Sequence, residues 1–297
     1  MNVLFGLVLL VVLVVLLLIV GIHVGFRAPR MANQATPSDL DLPYENLSII
    51  TNSGKKLSCW SIASPIPSEL TLVILHGWGA NKSCMLPFAR HCVELRANVL
   101  LMDAHNHGDS DARGTSTMPK FAEDLTSVLI WLKQHKSAQS QSLVALGHSV
   151  GAAATLLSAA RHPIADAYIA IASFAHPKLM MQRQLGKLMH VPGLYAFISA
   201  YVQWVIGHRF DDIAPITNVK AITRPLLCIH GTADRLIPLS DFEQLCQAAN
   251  PQRVSCYQVE GADHDSIELI DAHFDVIESF IAQHLGKDVK GERCFSR

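Results

Sequence analysis

From Val3 to Val20 every position is apolar except Gly6, with no charge and no proline. At about 1.5 Å of rise per residue such a run is long enough to cross a bilayer's hydrocarbon core, which predicts a membrane-spanning helix over residues 1–22. The pattern then breaks. Residues 28–43 carry Pro29, Pro37 and Pro43 among small and polar side chains with neither helical nor strand periodicity, so 23–45 reads as a juxtamembrane linker.

From Asn46 onward short aliphatic and β-branched runs take over. Leu47 to Thr51 and Leu57 to Ile62, separated by Asn52-Ser53-Gly54, predict an antiparallel hairpin. The runs from 70 to 75, 98 to 102, 143 to 146, 167 to 172, 225 to 229 and 254 to 259 suit buried parallel strands. Between them, 85–95, 118–135, 151–161, 240–249 and 267–285 carry apolar residues at i, i+3, i+4 spacing, as crossover helices on both sheet faces should. The fold class is α/β, a mostly parallel sheet of about eight strands with helices on both faces. One segment, 173–223, supplies no good strand yet holds long aliphatic and aromatic stretches. It predicts a helical insertion, as a cap about 174–222 over the sheet's C-terminal edge or as ordinary helices on the core. The domain then runs over 46–286 and a tail over 287–297.

Composition changes this picture little. A net charge of -1 and 16% charged residues give no general polyanion-binding surface, so nucleic acid is not an expected partner. No basic residue precedes the apolar run, the run exceeds a usual signal-peptide core, and no A-x-A cleavage site follows, which favours an uncleaved anchor. Arg27 and Arg30 follow the span, so the positive-inside bias places the domain in the cytoplasm. The seven cysteines are scattered without a C-x-x-C spacing and read as mostly free thiols in a reducing compartment. Two N-x-S sequons, at Asn46 and Asn81, point weakly the other way.

The chemistry centres on Gly147-His148-Ser149-Val150-Gly151, a G-x-S-x-G placed between a strand and a helix. That turn forces Ser149 into a strained conformation with its hydroxyl above the sheet, and aims the Val150 N–H at the site. His76-Gly77-Trp78-Gly79, at the end of an earlier strand, could present the Trp78 N–H as a second oxyanion donor, with His76 packed in the turn. A serine hydroxyl needs a histidine to take its proton, and the histidine an acid to orient it. Among 15 histidines, His264 stands out in a short polar loop after the last strand. Asp234 stands likewise after the preceding strand, with Asp263 and Asp265 as rivals for the acid. All lie at the C-terminal edge of strands, where open α/β sheets bind ligands.

These residues resemble the α/β-hydrolase family across roughly residues 46–285, in the chain order serine, acid, histidine. Gly231 to Asp234 is similar to its acid loop and Gly261 to His264 to its histidine loop, and the helical insertion falls where the family places its cap. The stretch from Asp103 to Ser110 resembles the family's D-x-R-x-H-G-x-S turn, with His105 in the place of arginine. The resemblance implies a serine esterase or lipase-like enzyme with Ser149, His264 and Asp234 as triad and Trp78 and Val150 as oxyanion donors. No cofactor is implied. His105-Asn106-His107-Gly108-Asp109 opens a binuclear metal motif of other hydrolases, but its next histidine is replaced by Ser110, so no metal is expected. The apolar cap and anchor favour lipid-like or medium-chain acyl esters as substrates. Thioesterase, amidase or acyltransferase chemistry would use the same residues, and a non-catalytic binding protein could keep the fold.

Overall fold

The computed structural model describes residues 2–186 and 191–286. The sheet has eight strands: β1 (Tyr44–Ile50), β2 (Lys56–Ile62), β3 (Leu70–Leu75), β4 (Asn98–Met102), β5 (Ser142–His148), β6 (Ala167–Ile171), β7 (Leu226–Gly231) and β8 (Val254–Val259). Their order across the sheet is β1-β2-β4-β3-β5-β6-β7-β8. β1 pairs with β2 and β2 with β4 antiparallel, and every other pair is parallel. Parallel strands in a doubly covered sheet are buried on both faces, and β3 shows it. Val73 and Leu75 enter one core cluster, Leu72 and Ile74 the other.

Helices α3 (Met118–His135), α4 (Val150–Arg161) and α9 (Leu239–Ala248) bury Phe121, Leu125, Leu156 and Leu245 in the first cluster. Helix α2 (Leu86–Glu94) and the C-terminal helices bury Phe88, Ile277 and Ile281 in the second. The periodic stretch expected as a single last helix is two, α10 (Ile267–Asp271) and α11 (Phe274–Leu285). Ile270 and Phe274, on either side of the interruption at Ala272 and His273, are both buried in the second cluster. Strand β8 is also less buried than expected: it is the sheet's edge, with Ser255, Cys256 and Gln258 exposed.

Between β6 and β7 the insertion forms α5 (Pro177–Leu185), α6 (Leu194–Ile206), α7 (Phe210–Ile213) and α8 (Pro215–Asn218). Leu188 and Met189 of the predicted cap, Cys294 and the predicted tail 287–297 lie outside the described residues. The apolar N-terminal run is one helix, α1 (Asn2–Gly25), of which Val3–Gly25 is long and apolar enough to cross a membrane.

Residues 28–43, read from the sequence as a juxtamembrane linker, make specific contacts with the domain. Arg30 donates to the Ser110 carbonyl, Asn81 donates to the Met31 and Ala32 carbonyls at 3.0 and 3.1 Å, and Leu40 and Leu42 pack on the second core cluster. Backbone carbonyls make several of these contacts, so no side-chain periodicity announces them. Among the described cysteines, read as mostly free, one pair is bonded: Cys246 and Cys256 form a disulfide, because α9 packs against β7 and β8 and ends beside the latter. Cys59, Cys84, Cys92 and Cys228 are free.

Candidate active site

Ser149 sits between the end of β5 and the first turn of α4, at φ 57° and ψ -121°. That is a region non-glycine residues occupy at about 1–3 kcal/mol of strain, held here by the surrounding structure. The Ser149 N–H donates to the Ile171 carbonyl at 2.9 Å. A side chain at Gly147 would run into the Gly151 backbone, and one at Gly151 into the His76 carbonyl. Both glycines are therefore required by close approach, and together they bring the turn after β3 against the elbow.

The Ser149 Oγ lies 2.9 Å from His264 Nε2, and His264 Nδ1 lies 2.8 Å from Asp234 Oδ2. Asp234 Oδ1 accepts the backbone N–H groups of Leu236 and Ile237 at 2.9 and 2.7 Å. Burial alone would raise the Asp234 carboxyl, but the hydrogen bonds from His264 and Ile237 outweigh it and hold it below the usual carboxylate range. An ionised Asp234 accepts only, so His264 carries its proton on Nδ1 and turns an unprotonated Nε2 to the serine hydroxyl.

Of the rival acids, Asp263 Oδ1 accepts the N–H groups of Arg235 and of His264 itself, at 3.0 and 2.8 Å. It braces the loop and does not meet the ring. Asp265 lines the cavity above Ser149. Trp78 and Val150 line it too, and Trp78 stacks on Phe121 with ring centroids 6.4 Å apart. His76 is buried in the turn as expected, its Nδ1–H donating to the Gly77 carbonyl at 2.6 Å and its Nε2 accepting the Ala104 N–H at 3.1 Å.

The stretch 103–110 is occupied with scaffold contacts. Asp103 pairs with buried Lys82 at 2.6 Å, His105 pairs with Asp124, His107 donates to the His105 carbonyl at 2.9 Å, and Asp109 pairs with Lys82 at 2.9 Å. The residues of the H-x-H-x-D string thus turn to separate partners. No cluster of three or more His, Cys, Asp or Glu suited to a metal occurs among the described residues.

Sequence reasoning missed His148, the residue before the nucleophile. Its Nε2–H donates to the His264 carbonyl at 3.0 Å and so holds the histidine loop against the elbow. Burial, and then the neighbouring His264, push it down to about 4, which keeps it neutral. Its signal was its place inside the elbow, where the strand end faces the last loop.

The site opens into a cavity of about 880 Å³ bounded by α1, α5, α6 and the turn after β3. Met180, Met181, Ile198, Val202 and Ile206 face it from the insertion, so these helices form a roof over the sheet edge.

The profile of the Alpha/beta hydrolase family matches residues 72–277. An uncharacterized protein of Bacillus subtilis, YqkD, is 28% identical over 206 residues, covering 68% of this chain and 67% of its own. Human alpha/beta hydrolase domain-containing protein 17B is 22% identical over 240 residues, covering 79% and 74%. Among solved structures, the Pyrococcus furiosus esterase Pf2001 superposes with a TM-score of 0.73 at 23% identity, covering 88% of this chain and 97% of its own. Est1E of Butyrivibrio proteoclasticus with ferulic acid bound follows at 0.66 and 19%, covering 81% and 100%.

Proposed function

Because the chain belongs to the alpha/beta hydrolase family, we propose that it is a serine hydrolase that cleaves carboxylic esters of lipid-like or medium-chain acyl groups. The observation that carries this reading is the chain of contacts from Ser149 through His264 to ionised Asp234 at the floor of an apolar cavity. Ser149 Oγ attacks the acyl carbonyl as His264 Nε2 takes its proton, and the N–H groups of Trp78 and Val150 stabilise the oxyanion. The imidazolium returns the proton to the departing alcohol. Water, deprotonated by the same nitrogen, then releases the carboxylic acid and restores Ser149. The ester is preferred to a thioester or amide in this reading, a preference supported by similar folds in proteins named esterases.

The test is reaction of the full chain in detergent micelles with a fluorophosphonate, together with turnover of p-nitrophenyl esters of increasing acyl length. A single adduct on Ser149 and a maximum beyond the shortest esters are expected. A folded protein that ignores both reagents would be a binding protein on the same scaffold.

α1 is proposed to anchor the enzyme in a bilayer, with Arg27 and Arg30 placing the domain in the cytoplasm. The Cys246–Cys256 bond favours an oxidising compartment instead. Of the sequons, Asn81 is buried and closed to glycosylation in the folded state. Cys84 is a free exposed thiol. In intact cells a membrane-impermeant maleimide is expected to spare it if the domain is cytoplasmic, and labelling there would move the domain to the other side.

A further inference from the structure

A helix that only anchors a protein needs no preferred face, yet α1 has one. Val15, Leu18, Ile19, Ile22, His23 and Phe26 are half-buried at three- and four-residue spacing, while residues 3–14 are exposed. Ile22 and Phe26 pack on Ile198, Val202 and Phe210 of the insertion. His23 Nε2 lies 3.0 Å from the Tyr201 hydroxyl, and the Ser116 N–H donates to the Phe26 carbonyl at 3.0 Å. The C-terminal half of the helix is thereby fixed to the domain by apolar and polar contacts.

That half also borders the cavity over Ser149, with Val14, Leu17, Leu18 and Ile22 turned toward it. Two glycines, Gly21 and Gly25, line the same cavity one helical turn apart. Glycine inside a helix costs about 1 kcal/mol relative to alanine, and in membrane helices small residues usually permit a neighbouring helix to approach closely. Here a Cβ at either position would meet nothing within 4 Å. What the glycines leave is cavity volume.

We propose that the C-terminal half of α1 is a wall of the acyl-binding channel. The acyl chain of a bilayer-resident ester would lie between α1 and α6, with its carbonyl at Ser149, and Gly21 and Gly25 would set the chain length accepted. The channel belongs to the anchor as much as to the domain, so the substrate is met where the anchor enters the lipid. The exposed Phe197 and Trp204 on α6 fit such a surface. This inference rests on the esterase reading for the identity of the group bound, not for the position of the wall.

Two measurements on the full chain in micelles test it. The first is the ratio of kcat/KM for p-nitrophenyl decanoate to that for p-nitrophenyl acetate. Gly21→Phe and Gly25→Phe fill the channel and are expected to lower this ratio about tenfold or more. Gly6→Phe, on the same helix but away from the cavity, should keep the wild-type ratio. Equal ratios in all the proteins would overturn the proposal. The second is photocrosslinking of a decanoate ester bearing a terminal diazirine to the Ser149→Ala protein. Label within residues 14–26 supports the wall, and label confined to the insertion and sheet overturns it. If the wild type hydrolyses neither ester, the esterase reading falls and the crosslink alone decides the wall.

Discussion

Ser149→Ala and His264→Ala are each expected to lower kcat on a p-nitrophenyl ester by about 10⁶-fold, with Asp234→Asn costing about 10⁴-fold. The order follows from what each group does. The alanine at 149 has no nucleophile, and without the imidazole the hydroxyl has no base at 2.9 Å. Asparagine at 234 leaves both partners in place but spoils their orientation. Its amide can donate where the carboxylate only accepted, so His264 can place its proton on Nε2, facing the serine, and lose its role as base. The residual rate in all three variants should come from the oxyanion donors and the cavity, which they leave intact. Steady-state kinetics with a melting curve for each variant checks this, and an Asp234→Asn protein within tenfold of wild type would show that another acid orients His264.

The second large effect is on stability. Unfolding free energy is expected to fall by about 4 kcal/mol between pH 8 and pH 5 from His76 and His148 together. Both are buried and neutral in the folded protein. Burial, then the nearby His107, push His76 down to about 3, and burial, then His264, push His148 down to about 4. His76 also uses Nε2 to accept the Ala104 N–H, which a protonated ring could not do. Below about pH 6.5 the unfolded chain binds protons at these positions that the folded chain refuses. Stability is therefore full above that pH, is lost as pH falls toward 4, and loses no more to His148 below it. His107 and His230 are displaced downward by burial as well and act in the same direction. A domain stable by about 5–15 kcal/mol has little margin for such a loss. Denaturant unfolding at intervals from pH 8 to pH 5 measures it, and a flat profile would mean that the two rings titrate normally.

Much of the architecture is legible in the chain because the signals are local. Each central strand is buried on both sides, so 70–75, 143–146 and 225–229 appear as short, predominantly aliphatic runs without polar alternation. The elbow is legible because Gly147 and Gly151 have no substitute where two backbones come so close. Other features leave no local mark. The interruption at Ala272 and His273 keeps helical periodicity on both sides. Several contacts of residues 28–43 use backbone carbonyls, as Asn81 does with Met31 and Ala32, and every residue possesses one. Cys246 and Cys256 meet through the adjacency of α9 and β8, not through their spacing.

By itself, the sequence determined the order of strands and helices, the strained serine turn, the apolar insertion and the N-terminal span, since each follows from the volume, polarity or backbone freedom of neighbouring residues. Only the tertiary structure decided which aspartate meets His264, because Asp234 and Asp263 both lie near it in loops and differ only in where the strands deliver them. It also turned one face of α1 toward the cavity. A uniformly apolar helix has no sequence pattern that could say which side meets protein and which meets lipid.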